Sequence, residues 1–314
     1  MGFVADQDWV PPDVDVNRPS AARVYDFLLG GGHNFAADRR VGGHIVARLP
    51  GARAIARSNR AFLRRAVDFM VDRGVTRFLD LGSGIPTVGN VHEIVQRATP
   101  EGLVVYVDYE VVAVAHSRLL LRGDERTSVV QADFTSPAAV LRDPAVVRLL
   151  DTSDPVGLLM VAVHHFVPDH KDPAGLVARY REALPPGSYV ALSHLTADHA
   201  PEAMAEVTAA MADSPDPMFF RPRDRVVALF DGLELVEPGV VDAPLWRPEP
   251  GVAAAEFTRG VYAGVGRVVP TGRPEAERAE HVAGGHRPRP HPSSSRNAGS
   301  KSALVGRTGD TRAW

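Results

Sequence analysis

The chain has 314 residues, of which 45% are hydrophobic and 23% are charged, and its formal net charge is −3. This is the composition of a globular protein, and the absence of cysteine excludes disulfide scaffolds, thiolate metal sites and cysteine nucleophiles. The acidic balance disfavours nucleic acid as the main partner. Because no apolar run is long enough to cross a bilayer and the acidic N-terminus lacks a signal-peptide core, we expect a cytoplasmic protein.

Three helices are predicted before any strand, after a loose leader at residues 1–17. Pro19 near the start of the first helix, Gly30 after it and Gly74 after the third favour these boundaries. The predicted helices are Ala21–Leu29, Ala36–Leu49 and Ile55–Arg73. Residues 18–74 are therefore predicted to form an N-terminal helical segment.

From Thr76 onward apolar strands alternate with helices, which predicts a parallel, doubly wound sheet covered on both faces. The strands are predicted at Arg77–Leu81, Val104–Val107, Ser128–Ala132, Gly157–Val163 and Tyr189–His194. The helices are predicted at Val88–Arg97, Val111–Arg122, Pro144–Leu150, Pro173–Leu184, Pro201–Ala212 and Arg223–Phe230. Two more strand-like runs predict a closing hairpin, Leu233–Val241 and Phe257–Val268.

The α/β domain is thus predicted to span residues 75–269. Residues 270–314 carry 8 Lys and Arg against 4 Asp and Glu and have no apolar periodicity. This composition predicts a disordered basic tail.

The first predicted strand, Arg77–Leu81, carries one charged residue, Asp80, and ends in the turn Gly82-Ser83-Gly84. Glycines at this point allow a tight turn and a close approach of the backbone to a ligand. A carboxylate beside the turn would repel a phosphate, but it suits an ammonium group such as the amino acid end of S-adenosylmethionine. Thr87 also disfavours a dinucleotide, because that fold uses a glycine there for helix–strand packing.

Acidic residues also follow the second and third strands. Asp108, with Tyr109 beside it, lies at about the 20-residue distance from the glycine turn that lets an acid accept hydrogen bonds from ribose hydroxyls. Asp133 can accept from an adenine amino group, while Phe134 offers a backbone N–H and an apolar wall. Ligands of open α/β sheets bind outside the carboxyl ends of the strands, so these acids together predict an adenosine-containing ligand.

On these residues the chain resembles class I S-adenosylmethionine-dependent methyltransferases. More narrowly, it is similar to the S-adenosyl methyltransferase family common in high-GC soil bacteria, over roughly residues 17–268. The narrow resemblance rests on five segments: Arg18-Pro19-Ser20 with Arg23-Val24-Tyr25-Asp26, Asn34-Phe35-Ala36-Ala37-Asp38-Arg39, Asn59-Arg60-Ala61-Phe62-Leu63-Arg64-Arg65-Ala66, Phe78-Leu79-Asp80-Leu81-Gly82-Ser83-Gly84-Ile85-Pro86-Thr87 and Trp246-Arg247-Pro248.

The resemblance implies a Rossmann-like class I methyltransferase fold, with a mostly parallel seven-stranded sheet, a C-terminal antiparallel hairpin and an N-terminal helical lid. It implies S-adenosylmethionine as the cofactor. The residues expected to bind it are Asp80, Gly82, Ser83, Gly84, Asp108, Tyr109, Asp133 and Phe134. The resemblance does not identify a methyl acceptor.

The fourth predicted strand continues into His164 and His165, where methyltransferases place residues next to the reactive methyl group. Either histidine is a candidate general base, and either could instead shape the pocket. Adjacent strand residues face opposite sides, so the two cannot both point at one methyl group. His165 with Asp169 and His170 has no metal-ligand spacing, and no metal is predicted.

A glycine-rich break between the first two helices is surrounded by Tyr25, His33, Asn34 and Phe35. In methyltransferases of this shape, helices that precede the first strand close over the cofactor as a lid, which excludes water and fixes the acceptor. Tyr25 and Phe35 are equally compatible with core packing.

The expected reaction is therefore methyl transfer from S-adenosylmethionine to a small-molecule acceptor by direct displacement. One alternative is a non-catalytic regulator that binds S-adenosylmethionine and keeps the methyltransferase fold. The other is a nicotinamide oxidoreductase, which Asp80 and Thr87 disfavour.

Overall fold

A computed structural model of the chain describes residues 14–86, 89–212, 214–248 and 258–270. Most of the predicted leader, the predicted tail beyond residue 270, and the predicted ends at Val88 and Phe257 lie outside the described residues, as does Thr87. The first three helices are α1 (Ala21–Leu29), α2 (Ala36–Arg48) and α3 (Ala52–Val71). Helix α1 has the predicted bounds, and Gly30 ends it with a φ of 88°.

The sheet contains eight strands among the described residues. They are β1 (Arg77–Leu81), β2 (Leu103–Asp108), β3 (Thr127–Gln131), β4 (Val156–Val161), β5 (Tyr189–Leu195), β6 (Leu233–Leu235), β7 (Val241–Asp242) and β8 (Val261–Val268). Their order is β3-β2-β1-β4-β5-β8-β6, and β7 also pairs with β8. The pairs formed among β1 to β5 are all parallel, whereas β8 is antiparallel to β5, β6 and β7.

This arrangement confirms the predicted fold class, a Rossmann-like class I methyltransferase sheet with a C-terminal antiparallel hairpin. The order of the strands reverses between β1 and β4, which places a crevice at the carboxyl ends of these two strands. Ligands of open α/β sheets bind in such a crevice.

Seven more α-helices in the described part of the chain connect or flank the strands. They are α4 (Val91–Ala98), α5 (Val111–Leu120), α6 (Pro137–Val140), α7 (Pro144–Leu150), α8 (Pro173–Glu182), α9 (Pro201–Ala210) and α10 (Arg223–Ala228). Short α6 has no counterpart among the predicted helices.

Alternating strand residues form two apolar cores, one on each face of the sheet. Phe78 packs with α3 and α4, whereas Leu79 and Leu81 pack with α7 and α8. Helix α3 contributes fully buried residues such as Phe62 and Met70 to the first of these cores. The α3 part of the N-terminal segment is therefore packed on the sheet.

The predicted strand Gly157–Val163 is too long. It ends at Val161, because Ala162 adopts a positive φ of 60° and turns the chain out of the sheet. The next residues, His164–Phe166, form one turn of 3₁₀ helix. The argument that the two histidines alternate along a strand is therefore wrong.

The predicted run Leu233–Val241 is two strands rather than one. Pro238 has no N–H for a ladder, and Gly239 takes a φ of 81°, so the chain turns between β6 and β7. This division accounts for eight strands where seven were predicted.

Candidate active site

The glycine loop after β1 is folded against the end of β2. Gly82 and Gly84 have φ values of 68° and 67°, and a Cβ on Gly82 would lie 2.2 Å from Val163 Cγ1. The N–H groups of Gly82 and of the residue after it donate to the Val107 carbonyl at 2.7 and 3.2 Å. The Gly84 N–H donates to Asp108 Oδ2 at 2.7 Å. All three N–H groups are thus already used, and the loop forms no cradle for a phosphate.

Asp108 lies buried at the end of β2. Its second oxygen, Oδ1, accepts from the Glu110 N–H at 2.9 Å. Burial raises the pKa of Asp108 to about 6, although both backbone N–H groups favour the charged form. A carboxylate oxygen accepts more than one hydrogen bond, so Asp108 can still accept from ribose hydroxyls in the cavity that it lines.

Asp80 is buried on β1 and lines the same cavity together with Arg60 of α3. Burial raises the pKa of Asp80 to about 7; the Arg60 charge opposes this shift and the Asp108 charge adds to it. A carboxylate and a cation that face one cavity suit a ligand end that bears both an ammonium and a carboxylate. Arg60 was predicted only as part of a family segment and not as a site residue; a second signal is its helical spacing from Ala56 and Leu63 of the lining.

The two residues predicted after the third strand are placed differently. Phe134 is buried and lines the cavity, whereas Asp133 is exposed and is not part of the lining. The Asp133 carboxylate accepts from the N–H and the hydroxyl of Thr135, both at 2.8 Å, which closes a local turn. The structure therefore brings Phe134, but not the Asp133 side chain, to the cavity. Tyr109 also lines it, and its hydroxyl donates to Asp216.

Of the two candidate histidines, only His165 lines the cavity. Both ring nitrogens of His164 and Nδ1 of His165 are buried without a hydrogen-bond partner among the described residues. Burial, with smaller effects of the neighbouring His194 and Arg221, lowers the pKa of His164 to about 3 and that of His165 well below its ordinary value. Both rings are therefore neutral at pH 7 and weak bases.

Tyr25 is the member of the predicted lid group that lines the cavity. Its hydroxyl donates to the Ala56 carbonyl at 3.1 Å and accepts from Asn59 Nδ2 at 3.0 Å. Ser193 Oγ donates in turn to Asn59 Oδ1 at 2.6 Å. This chain of hydrogen bonds fixes α1 to α3 and to β5 around the cavity.

The other lid candidates, His33, Asn34 and Phe35, lie outside the lining. Asn34 Nδ2 donates to Asp26 Oδ2 at 2.7 Å and to the Gly31 carbonyl at 2.9 Å. These contacts hold the glycine-rich break between α1 and α2 in shape.

A buried arginine that sequence reasoning missed joins the N-terminal helices to the segment that follows β2. Arg23, 3% exposed, donates from Nε to Asp38 Oδ2 at 2.9 Å and from Nη1 to Glu110 Oε1 at 2.5 Å. The other Glu110 oxygen accepts from the Ala113 N–H at 2.7 Å and caps α5. Helices α1 and α2 are thus connected to a residue two positions after Asp108.

One cavity, partly open to solvent, is lined by Asp80, Asp108, Phe134, His165 and Tyr25. Asp80, Asp108 and the glycine loop lie at its sheet end. Its other walls come from α1, α2, α3 and α9. The cavity therefore combines a polar region at the switch point of the sheet with an apolar region under helices.

No group of three or more His, Asp or Glu side chains that could hold a metal is found among the residues the structure describes. Asp169, considered above with His165 and His170, accepts from Arg221 Nη2 at 2.6 Å. Within the described parts of the chain, no helix has both the length and the apolar character needed to span a membrane.

Comparison with known proteins identifies one family and related structures. A model of the S-adenosyl methyltransferase family matches residues 7–269. A DUF574 family protein from Streptomyces avermitilis MA-4680 is 37% identical, with 81% of this chain and 99% of that chain covered and a TM-score of 0.76. A protein from Thermobifida fusca YX, provisionally described as a methyltransferase, is also 37% identical, with 83% and 99% covered and a TM-score of 0.78.

No curated protein matches the chain. The family model nevertheless spans well over half of it, and it agrees with the strand order and with the resemblance found in the sequence. The chain therefore belongs to the S-adenosyl methyltransferase family and is an enzyme that uses S-adenosylmethionine.

Proposed function

We propose that the enzyme methylates a small-molecule acceptor by direct in-line displacement. This proposal rests on one observation. Asp80 and Asp108 line the same cavity as the apolar walls under α1 and α9. A cofactor held at the sheet end would leave the helical end free for a second molecule. S-adenosylmethionine supplies a methyl group on a sulfonium that is already activated for transfer.

The residues of the sheet end would hold the cofactor in three parts. Asp80 pairs with the ammonium and Arg60 with the carboxylate of its amino acid end. Asp108 accepts from the ribose hydroxyls, and Phe134 forms a wall for the adenine. These assignments place each charged group of the amino acid end beside a side chain of opposite charge. The buried Asp80 carboxylate is then paired.

A nucleophilic oxygen, nitrogen or carbon of the acceptor takes the methyl group in line with the breaking bond to sulfur, and the sulfur keeps the electron pair. The acceptor loses its proton, where it has one, to water or to a weak base. His165 would orient the acceptor, since a neutral buried imidazole is a poor proton acceptor at pH 7. The gain in rate comes from holding two reactants in one water-poor site.

Methyl-labelled S-adenosylmethionine tests this proposal. The full chain is incubated with separate small-molecule, RNA and protein fractions of a bacterial extract, and Asp108→Ala serves as the control. We expect label in organic-extractable small molecules, at a rate that Asp108→Ala reduces. Label only in RNA or protein would contradict the small-molecule acceptor. Tight cofactor binding without label in any fraction would favour the non-catalytic alternative.

A further inference from the structure

The helical end of the cavity is an apolar chamber, defined here by six side chains from α1, α2 and the α9 region that line it: Leu28, Ile45, Leu49, Met204, Val207 and Met211. The same six belong to or pack against one apolar cluster, and of these six only Leu49 also packs against a core of the sheet. The chamber is continuous with the sheet end, where the cofactor is proposed to bind. A ligand that enters the chamber would replace its contacts with water mainly by contacts with hydrocarbon. Each Å² of apolar ligand surface buried in this way contributes about 25 cal/mol of favourable free energy.

Charged groups of the lining are concentrated away from this chamber. Arg60 is the one Lys or Arg among the described residues that line the cavity, and it lies next to Asp80. Two of the lining carboxylates already have partners: Glu110 pairs with Arg23, and Asp216 accepts from the Ala21 N–H at 2.8 Å. A charged acceptor in the chamber would lose its hydration without gaining a counter-ion.

Polar groups near the chamber are also largely occupied. The Tyr25 hydroxyl and the Asn59 amide hydrogen-bond to each other, and each has a further protein partner. His165 lines the cavity, and its Nδ1 has no hydrogen-bond partner among the described residues. One polar contact is therefore open to an acceptor beside the sheet end of the chamber.

We propose that the methyl acceptor is an uncharged, largely apolar small molecule that lies in the apolar chamber and presents a single polar group, such as a hydroxyl, to His165. This inference rests on the proposed methyl transfer and adds the chemical class of the acceptor. Met204, Met211 and the neighbouring lining residue Met218 can adjust to different ligand shapes, because methionine is unbranched and flexible. The chamber therefore discriminates against polar and charged ligands more strongly than it discriminates between ligands of different shape.

Three probes with one skeleton and different charge test the proposal: 2-naphthol, 2-naphthoate and 2-naphthylmethylammonium. Each is titrated by calorimetry into the full chain saturated with S-adenosylhomocysteine. We expect 2-naphthol to bind at least about 10-fold more tightly than either charged probe, a difference of about 1.4 kcal/mol. Equal or tighter binding of a charged probe, or no binding of any probe, would overturn the proposal.

Val207→Trp, which fills the chamber, should weaken 2-naphthol binding at least about 10-fold and leave S-adenosylhomocysteine affinity unchanged. Ala209→Trp places the same side chain on the exposed side of α9 and should change neither. If Val207→Trp does not fold, Leu28→Asn on the opposite, half-buried wall replaces it, with the same expectation. Undiminished naphthol binding in the folded variant would contradict the chamber as the site.

The two proposals fail in different ways. If the unaltered protein does not bind S-adenosylhomocysteine, the proposed function is wrong. If it binds S-adenosylhomocysteine but not 2-naphthol, only the apolar acceptor is wrong.

Discussion

Asp108 connects the glycine loop to the segment that leads into α5 through its two carboxylate oxygens. One oxygen accepts from the glycine loop and the other from the start of the segment that leads into α5. The carboxylate is therefore held in place before any ligand arrives, and it lines the cavity with lone pairs still available. A pre-positioned acceptor of this kind binds ribose hydroxyls without losing side-chain freedom at the moment of binding.

Removal of this acceptor should weaken cofactor binding. We expect Asp108→Ala to lower the affinity for S-adenosylhomocysteine by about 1–3 kcal/mol, the cost of leaving buried donors without a partner. Asp133→Ala is the matched control: the same change at the end of the next strand, on an exposed side chain outside the lining, should leave the affinity unchanged. Titration calorimetry measures both. Equal losses in the two variants would contradict the ribose assignment and restore Asp133 as a cofactor ligand.

Asp80 should couple cofactor binding to pH. Burial raises its pKa to about 7 in the free protein, so below pH 7 the carboxyl is mostly protonated. A bound ammonium stabilises the ionised form and lowers this pKa, so binding releases a proton and affinity rises as the pH increases from 6 to 8.

Calorimetry at pH 6 in buffers of different ionisation enthalpy counts the protons released when S-adenosylhomocysteine binds. The unaltered protein should release about one proton more than Asp80→Asn, because the amide cannot ionise. The same release in both proteins would mean that Asp80 does not meet the ammonium.

Two glycines two positions apart have different structural requirements in the loop after β1. Both have positive φ, which costs a residue with a Cβ about 1–2 kcal/mol. At Gly82 the new Cβ would also lie 2.2 Å from Val163 Cγ1, whereas at Gly84 no described atom lies within 4 Å. The first glycine is needed for both conformation and close packing, and the second for conformation alone.

Urea unfolding should separate these two effects. We expect Gly84→Ala to lower the free energy of unfolding by about 1–2 kcal/mol, and Gly82→Ala to lower it further because Val163 must move. Similar losses in the two variants would mean that the contact with Val163 is relieved at no cost.

Hydrophobic periodicity and capping residues predicted most helices and strands. They failed where the backbone leaves the sheet within an apolar run. The apolar run Gly157–Val163 contains no residue that marks Ala162 as the point where φ becomes positive. That turn is set by tertiary hydrogen bonds, since the Ala162 N–H donates to the Ser193 Oγ at 2.9 Å. By contrast, the helix Pro144–Leu150 begins at a proline after an aspartate cap and was predicted with its observed bounds.

Across the whole molecule, the sheet end of the cavity was predictable only in part. Asp80 and Asp108 lie at the carboxyl ends of neighbouring strands, which meet at one edge of the sheet, whereas Asp133 lies outside the lining. The groups that close the cavity were not predictable. Arg23 and Arg60 belong to helices, and the partners that give them a role, Glu110 and Asp80, are distant along the chain. Such pairs depend on how the helices pack against the sheet. Neither the hydrophobic periodicity nor the spacing of residues in the sequence contains this information.

Arg23 also links the N-terminal helices, through Glu110, to the residue proposed to bind the ribose of the cofactor. Glu110 donates its N–H to Asp108 and pairs with Arg23 of α1, so ribose binding at Asp108 would steady the segment that holds Arg23. We therefore propose that α1 and α2 act as the lid expected from the sequence, while α3 stays packed on the sheet. Breaking the buried pair would leave charges without partners, at a cost of about 3–5 kcal/mol.

Hydrogen exchange measures this coupling in the unaltered protein. Saturation with S-adenosylhomocysteine should slow amide exchange in α1 and α2, because the ligand reduces the population of the open lid. Helix α8 is the internal control: it packs on the other core, lines no part of the cavity, and should show a smaller change. In Glu110→Gln, which weakens the hold on Arg23 but keeps a side chain that can cap α5, the slowing should shrink in α1 and α2. Uniform slowing of α8 and the N-terminal helices would instead indicate global stabilisation by the ligand, and α1 and α2 would then be fixed walls of the cavity rather than a lid.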